Sequence, residues 1–320
     1  MGFFYFNTMS STVTITKNDL LLKRVEVAGK LVGNTGMRQF RNLVPGERVK
    51  LFAKMEWQQL SASVKARAAY QIIHDAVLHG RLDERKILLD ATSGNTGIAY
   101  AAIGEKTGIK VALCLPENAS NERKEILRSL GAEIIYTSRF EGTDGAQNEA
   151  RELERIHPDK YFYADQYRNN NNWKAHYFTT AVEIYEQLPG ITHFVAGLGT
   201  TGTFVGTGRR LKELNPDIRL ISLQPDSALH GLEGWKHMET ALVPKIYDPA
   251  LADENHELST EESYEMIRRI YRDEGMLLSP SSAANLAGAA KIAATLEDGI
   301  VVTVLPDNAD KYGDVIRKIL

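Results

Sequence analysis

The chain has 320 residues, of which 43% are hydrophobic and 25% are charged, and its formal net charge is −3. This composition is ordinary for a globular protein and lacks the basic excess of a nucleic-acid binder, so a small-molecule partner is expected. No apolar run is long enough to span a membrane, and the single cysteine, Cys114, excludes intrachain disulfides and cysteine-cluster metal sites. We therefore predict a cytoplasmic protein of two lobes with no metal site and no membrane or nucleic-acid partner.

The N-terminal part of the chain has few clear elements. Residues 1–16 are expected to form a flexible extension, since their apolar run is too short for a signal-peptide core and lacks a basic start. Residues 17–30 allow a short helix or an extended arm, and the glycines of residues 33–36 then predict a turn.

Lys65 lies between a predicted strand and the body of a predicted helix. Residues 49–55 are predicted to form a strand, and residues 65–73 open a strong helical pattern. The predicted N-cap of that helix is Ser61 or Ser63, because a serine hydroxyl accepts a hydrogen bond from the first helical turn. Lys65 is therefore expected at a helix start, at the end of a loop.

Apolar strands alternate with helices along the rest of the chain. The first half predicts strands at 87–91, 110–115 and 133–136 and helices at 96–106, 121–130 and 143–157. The second half predicts strands at 191–196, 219–223 and 300–305 and helices at 175–187, up to 214, at 260–274 and at 281–296. Only crossover helices cover both faces of a parallel sheet, so the pattern predicts an α/β fold of two doubly wound lobes with mostly parallel sheets.

The predicted lobes divide the chain unequally. Residues 51–164 are assigned to an N-terminal lobe, and residues 17–50 together with 165–320 to a C-terminal lobe. Residues 158–174 are polar and are expected to form an irregular crossing between them. Residues 225–256 interrupt the second lobe with a long insertion of poor periodicity, and such insertions are commonly functional.

Two loops rich in small residues follow predicted strands and precede predicted helices. Residues 92–97, the asparagine loop, offer hydroxyl and amide groups that suit a carboxylate; residues 199–203, the threonine loop, offer backbone N–H groups and hydroxyls that suit a phosphate. Neither loop has the P-loop spacing or the GxGxxG fingerprint of a nicotinamide dehydrogenase. Taken alone, each is equally well explained as a tight turn, and a noncatalytic α/β binding protein is a further alternative.

Lys65 and its neighbours favour a binding role for the two loops over the tight-turn explanation. Lys65 follows Ser61-Ala62-Ser63-Val64, and Gly33-Asn34-Thr35 forms the opening turn. With the two loops, these segments resemble the fold-type-II pyridoxal-phosphate enzymes, whose fold is tryptophan synthase β-like. More narrowly, the chain resembles the cysteine synthase and cystathionine β-synthase family, and within it the cysteine synthase B branch, over residues 20–312.

The resemblance implies pyridoxal 5′-phosphate as the cofactor and a role for each loop. Lys65 is expected to form the Schiff base with the cofactor aldehyde and to carry the substrate α-proton. Asn95 is expected to bond the cofactor 3′-oxygen and Ser281 to meet the pyridine nitrogen. The residues implied for the cofactor phosphate are Gly199, Thr200, Thr201, Gly202 and Thr203. Those implied for the substrate are Thr92, Ser93, Gly94, Asn95, Thr96 and Lys236.

The implied reaction follows from the serine at the ring nitrogen. A hydroxyl does not hold that nitrogen protonated as a carboxylate would, so loss of a β leaving group is favoured over a long-lived carbanion. The resemblance then implies β-replacement on O-phosphoserine or O-acetylserine by a sulfur nucleophile, through an aminoacrylate, giving L-cysteine in a homodimer. A cystathionine β-synthase, a diaminopropionate-type synthase and a serine dehydratase are the alternatives.

The sequence leaves the roles of two charged residues open. Lys236 lies near where relatives that use O-phosphoserine place a cation, but a solvated surface position explains it equally well. Asp307 follows the last predicted strand, in a segment that lines the cofactor in the family. The simpler expectation is that its carboxylate is exposed to solvent. The alternative is that the carboxylate lies near the pyridine nitrogen, where it would raise the proton affinity of that nitrogen.

Overall fold

The computed structural model describes residues 16–44, 46–92 and 94–320. The predicted extension therefore lies outside the described residues except for Thr16. That threonine caps the first helix in a capping box: its hydroxyl accepts a hydrogen bond from the Asp19 N–H at 3.1 Å, and the Asp19 carboxylate accepts one from the Thr16 N–H at 2.7 Å. Residues 17–29 are thus a helix and not an extended arm.

Two sheets form in the described part of the chain. Their strands are β1 (Met37–Gln39), β2 (Val49–Met55), β3 (Ile87–Ala91), β4 (Lys110–Pro116), β5 (Glu133–Thr137), β6 (Tyr161–Tyr163), β7 (His193–Gly197), β8 (Arg219–Pro225), β9 (Glu254–Leu258) and β10 (Gly299–Leu305). The larger sheet has the order β1-β2-β10-β7-β8-β9 and the smaller has the order β5-β4-β3-β6. Every pairing is parallel except that of β1 with β2, which confirms the predicted α/β fold with mostly parallel sheets.

Helices connect and cover these strands. They are α1 (Lys17–Gly29), α2 (Lys65–Leu78), α3 (Asn95–Thr107), α4 (Asn121–Ser129), α5 (Gly142–Ile156), α6 (Asn170–Ala175), α7 (Ala181–Gln187), α8 (Gly202–Leu214), α9 (Thr260–Glu274), α10 (Pro280–Ala294) and α11 (Gly313–Ile319). A π-helical turn, His176–Thr180, joins α6 to α7. Among the described residues, no helix has both the length and the apolar character needed to cross a bilayer.

The division between the sheets differs from the predicted lobes. Strand β2 pairs with β10 along its whole length, from Val49 beside Gly299 to Met55 beside Leu305, and so belongs to the larger sheet. Helix α1 packs its buried Leu21 into the apolar core of the smaller sheet. The boundary predicted at residue 51 is corrected accordingly: α1 joins the smaller sheet, while β1 and β2 join the larger.

Two local predictions are wrong. Residues 158–174 are not wholly irregular, because they contain β6 and most of α6. Neither Ser61 nor Ser63 caps α2. The N-cap residue of this helix is Val64, whose side chain accepts no hydrogen bond from the first turn. The loop before this helix contains two non-glycine residues with positive φ, Ser61 at 64° and Ala62 at 46°, so its path is set by contacts with distant segments.

Asp90 is a buried acid at the end of β3, just before the asparagine loop. Its side chain is fully buried, and its Oδ1 accepts a hydrogen bond from the Ala91 N–H at 2.8 Å. Its Oδ2 has no hydrogen-bond partner among the described residues. Burial raises the pKa of Asp90 to about 7. The folded protein therefore holds this proton more tightly than the unfolded chain, whose Asp pKa is about 3.9, and stability falls as the pH rises from about 4 through about 7.

Replacing Asp90 with asparagine is expected to stabilise the protein at high pH only, because the amide mimics the neutral acid. We expect the free energy of unfolding to exceed the wild-type value by about 1–3 kcal/mol at pH 8 and to equal it near pH 4. Urea denaturation at both pH values measures the difference. Asp298→Asn, at an exposed position, is the matched control. A stability gain of the same size at pH 4 would contradict the assignment of this effect to the buried charge.

Candidate active site

A cavity of about 300 Å³ opens at the carboxyl ends of the parallel strands. Four helices begin at its wall, α2 at Lys65, α3 at Asn95, α8 just after Thr201 and α10 one residue before Ser281. The N-terminus of a helix directs unpaired backbone N–H groups and positive potential outward. The cavity is therefore suited to a ligand that carries several negative groups.

The structure brings most of the predicted site residues into this one cavity. Those that line it are Lys65, Thr92, Gly94, Asn95, Thr96, Gly199, Thr200, Thr201, Thr203, Lys236 and Ser281. Gly202 does not line it and packs against Asn172, and Ser93 lies outside the described residues. The described residues contain no cluster of three or more histidine, cysteine, aspartate or glutamate side chains that could hold a metal ion.

Lys65 is the first residue of α2 and is half-buried, with its side chain facing the cavity. Burial lowers the pKa of its amine to about 8, and the carboxylate of Asp307 opposes that fall. A lysine in this range carries an appreciable fraction of neutral, nucleophilic amine near neutral pH, unlike an exposed lysine. The position therefore provides both a nucleophile and a base.

The asparagine loop also places polar groups on the cavity wall. The Thr96 hydroxyl donates to Gln166 Oε1 at 2.7 Å, and the Gly94 N–H donates to the Thr92 hydroxyl at 3.3 Å. The Asn95 amide donates to Asp307 and accepts from Lys311. Residues of other segments thus hold the side chains of this loop, while the N–H groups at the N-terminus of its helix stay available to an anion.

The threonine loop forms a close-fitting cradle. Thr201 has a positive φ of 70° and precedes α8, and its hydroxyl is buried without a hydrogen-bond partner in the described part of the chain. A Cβ added at Gly199 would lie 2.1 Å from the carbonyl oxygen of Gly234, and one added at Gly202 would lie 2.0 Å from Asn172 Oδ1. Only glycine fits at these two positions, and the unpaired hydroxyl leaves a donor available for a phosphate oxygen.

The two serines at the start of α10 face different ways. The Ser282 hydroxyl donates to the carbonyl oxygen of Asp307 at 2.6 Å and does not line the cavity. The Ser281 hydroxyl does line it, and its contact in the structure is a long one, 3.4 Å to the Ser279 hydroxyl. Ser281 is therefore the serine available to a ligand.

Comparison with known proteins places the chain in a family. The model of the family described as "Pyridoxal-phosphate dependent enzyme" matches residues 29–307. This chain belongs to that family. The enzyme is 44% identical over 298 residues to the cysteine synthase of Aquifex aeolicus, with 91% of each chain covered. It is 38% identical over 285 residues to the cysteine synthase B of Pseudomonas aeruginosa, with 88% of this chain and 93% of that relative covered.

A solved structure supports the same conclusion about the fold. The enzyme superposes on the O-acetylserine-dependent cystathionine β-synthase of Helicobacter pylori with a TM-score of 0.82 and 34% identity, covering 89% of this chain and 96% of that one. The resemblance to fold-type-II enzymes of the cysteine synthase family is thereby confirmed, as is pyridoxal phosphate as the cofactor.

The residues present fit this cofactor. The glycine-lined cradle with its unpaired Thr201 hydroxyl suits the phosphate, and Ser281 offers a hydroxyl without a carboxylate for the ring nitrogen. Lys65 would supply the amine for covalent attachment, and Asn95 lines the same cavity. The individual roles of these residues stay predictions, but their placement in one cavity is what those roles require.

Several functional candidates were missed from the sequence. Arg123, on α4, lines the cavity, stacks over the ring of Tyr312 at 5.2 Å and forms a bidentate ion pair with Glu233 of the insertion, with Nη2 2.6 Å from Oε2. Gln166 also lines the cavity and holds Thr96. Gln166 follows β6, so the rule that ligands bind at the carboxyl ends of strands would have found it had that short strand been recognised.

Proposed function

We propose that the enzyme makes L-cysteine by β-replacement on an O-activated L-serine, either O-acetylserine or O-phosphoserine, with a sulfur nucleophile. The observation that carries the proposal is the single cavity in which Lys65, the asparagine loop, the threonine loop and Ser281 meet. The cysteine synthases among its relatives support the same reaction.

Each part of the cavity has a task in this reaction. When bound, pyridoxal phosphate draws electrons from the substrate Cα and makes its C–H bond acidic. The Lys65 amine takes that α-proton. The open helix N-terminus at Asn95, with the hydroxyl of Thr92, holds the substrate carboxylate and so fixes the Cα–H bond toward Lys65. The Thr96 hydroxyl, which donates to Gln166, holds this helix start in place.

The bonds of the reaction balance without an external oxidant or reductant. The Cβ–O bond breaks, and the leaving group departs with the electron pair as acetate or phosphate. A thiolate or hydrosulfide then forms the Cβ–S bond, and a proton returns to Cα from Lys65. The protein contributes by excluding water and orienting the groups, since both half-reactions occur at the same carbon pair.

The test is product formation from defined substrates. Purified enzyme loaded with pyridoxal phosphate is incubated with sulfide and either O-acetylserine or O-phosphoserine, and L-cysteine and the released acetate or phosphate are quantified. We expect one cysteine per leaving group released. Release of pyruvate and ammonia in place of cysteine would identify an eliminating enzyme of the serine dehydratase kind and would contradict the proposal.

A second nucleophile is favoured by one comparison. The Helicobacter pylori protein that superposes on this chain is described as an O-acetylserine-dependent cystathionine β-synthase. Homocysteine in place of sulfide would yield cystathionine on the same cavity. Competition between equal concentrations of the two nucleophiles, read out as the ratio of cysteine to cystathionine, separates the two candidates.

Lys236 is the residue through which we propose that the enzyme recognises a phosphate leaving group. Its side chain lines the cavity, its Nζ lies 5.2 Å from the centre of the Tyr167 ring, and burial lowers the pKa of its amine. It forms no ion pair with another described residue, whereas Arg123 is already paired with Glu233. An unpaired, partly desolvated ammonium in the cavity favours an anionic group on the substrate.

Replacing Lys236 with methionine is expected to lower kcat/KM for O-phosphoserine by about 10- to 100-fold, the worth of a charge-assisted hydrogen bond. For O-acetylserine we expect a change of less than about threefold, since its leaving group carries no charge. Steady-state kinetics with both substrates measure the two ratios. Lys245→Met, at an exposed position in the same insertion, is the control. An equal loss for both substrates would contradict a role at the leaving group.

We also propose that the enzyme acts as a homodimer in the cytoplasm. The support is its membership of the cysteine synthase family and, for a reducing compartment, its use of a single cysteine, which is buried in β4.

A further inference from the structure

The segment that follows β10, residues 306–312, contacts three parts of the site. The Val64 N–H donates to the Pro306 carbonyl oxygen at 2.8 Å, and Ser63 forms an antiparallel bridge with Asp307. The Ser282 hydroxyl donates to the Asp307 carbonyl oxygen at 2.6 Å. This C-terminal segment therefore joins the loop before Lys65 to the start of α10, and it also reaches the asparagine loop through two side chains.

The first of these side chains is Asp307. It is fully buried, so the expectation of a solvated carboxylate is wrong. Its Oδ2 accepts hydrogen bonds from Asn95 Nδ2 at 2.7 Å and from the Tyr312 hydroxyl at 2.8 Å. Its Oδ1 is buried with no hydrogen-bond partner among the described residues. A buried carboxylate with one free oxygen is costly unless it serves groups nearby. Both of its donors, Asn95 and Tyr312, line the cavity.

The second side chain is Lys311, which holds the other end of the same amide. Its Nζ donates to Asn95 Oδ1 at 2.9 Å, to the Ser61 carbonyl oxygen at 3.1 Å and to the Ala62 carbonyl oxygen at 3.0 Å. Ser61 and Ala62 are the two positive-φ residues that lead into Lys65. Lys311 thus stabilises the strained loop before the lysine and the amide of Asn95 at the same time.

These contacts allow Asn95 only one orientation. With its Nδ2 toward a carboxylate and its Oδ1 toward an ammonium, each end meets the partner it needs; after a flip, N–H would face N–H and oxygen would face oxygen. Nδ2 carries two N–H groups, and Asp307 takes one of them. The second stays available for an acceptor in the cavity.

We propose that Asp307 and Lys311 are positioning residues that lock the Asn95 amide with its second N–H directed at the 3′-oxygen of bound pyridoxal phosphate. The inference rests on the proposed function, because it assigns a partner to a residue of that same site. Positioning groups of this kind fix the geometry of the residues that touch a cofactor, and their loss costs affinity and turnover without removing a contact to the ligand itself.

The test compares Asp307→Asn and Lys311→Met in the enzyme loaded with pyridoxal phosphate. The readouts are the cofactor dissociation constant and the ratio of the visible to the near-ultraviolet absorption band, which reports protonation around the 3′-oxygen. We expect each variant to raise the dissociation constant about tenfold, consistent with loss of an outer positioning group, and to change the band ratio. Asp310→Asn, exposed on the same turn, should change neither.

A double-variant comparison separates positioning from general stabilisation. In an Asn95→Ala background, Asp307→Asn and Lys311→Met should change the band ratio less than they do in the wild-type background, because the part carried by Asn95 is lost and only their contacts with Lys65 and its loop remain. Thermal unfolding of each variant identifies any that fails to fold, in which case the other variant carries the test. Independent effects in the Asn95→Ala background would overturn the inference.

The same measurements distinguish this inference from the proposed function. Wild-type protein that binds no pyridoxal phosphate would contradict the proposed function itself. Wild-type protein that binds the cofactor through Lys65, while Asp307→Asn and Lys311→Met keep its affinity and spectrum, would overturn only the positioning role.

Discussion

Lys65→Ala is expected to lower turnover by about 10⁴-fold or more and to abolish covalent attachment of the cofactor. Proton transfer by a positioned side chain contributes about 10²–10⁴ in rate, and the nucleophilic role adds to it. Burial lowers the pKa of the Lys65 amine to about 8. At pH 7 about a tenth of such amines are neutral, compared with about one in 2,500 for an exposed lysine of pKa 10.4.

The sign of the pH dependence follows from that pKa. Because the base must be neutral, the wild-type rate should rise as the pH increases through about 8 and level off above it. Lys65→Arg keeps a positive charge but supplies no base near neutral pH, so it should not rescue the rate. A rate that falls across this pH range would contradict the role of Lys65 as the base.

Covalent attachment is measured independently of turnover. Borohydride makes a lysine–cofactor linkage permanent, so reduced wild-type protein should retain the mass of the cofactor on the peptide that contains Lys65. Lys65→Ala should gain no mass, and Lys50→Ala, at an exposed position on β2, should behave as wild type. Retention of the cofactor mass by Lys65→Ala would assign the attachment to another lysine.

The strands and the loops at their carboxyl ends could be predicted from the sequence because their signal is local. An apolar run followed by small polar residues and a helical pattern places a loop such as residues 92–97 or 199–203 at a strand end. Strand β6 gave no such signal, since three residues are too few to show a period. Its neighbour Gln166 was missed for the same reason.

Asp307 shows why other parts of the site could not be predicted. A charged residue in a polar stretch is usually exposed, and its own segment contains nothing to suggest burial. Its buried carboxylate accepts hydrogen bonds from Tyr312 and from Asn95, and Asn95 is 212 residues away in the chain. The partner of Arg123 likewise comes from 110 residues away, in an insertion with no periodic pattern. Such pairs depend on the tertiary fold.

Arg67 is the centre of a buried ionic network next to the lysine. Its side chain is 1% exposed. Its Nε donates to Glu56 Oε2 at 2.6 Å and its Nη1 donates to Glu183 Oε1 at 2.6 Å, while its Nη2 contacts the second oxygen of both carboxylates at 2.8 Å. Lys54 adds a further ion pair to Glu183 at 2.8 Å. The network joins β2 of the larger sheet to α7 and to the first turn of α2, two residues after Lys65.

Arg67→Met is therefore expected to lower the free energy of unfolding by about 3–5 kcal/mol, the cost of leaving buried charges without their partner. The carboxylates of Glu56, which is fully buried, and of Glu183 would then share the single positive charge of Lys54. Urea denaturation of the cofactor-free protein measures the loss. Because the first turn of α2 loses its anchor, we also expect weaker cofactor binding in the variant that remains folded.

An exposed ion pair provides the control for this prediction. Arg24 pairs with Glu84 at 2.8 Å, with side chains 47% and 40% exposed, so Arg24→Met should cost less than about 1 kcal/mol. Replacing Glu56 with glutamine in the Arg67→Met background removes one uncompensated buried charge and should restore part of the stability. If Arg67→Met cost no more stability than Arg24→Met, the network would not stabilise the fold. Helix α2, with Lys65 at its start, would then be held mainly by the apolar packing of its later residues, such as Ile72 and Ile73, in the core of the smaller sheet.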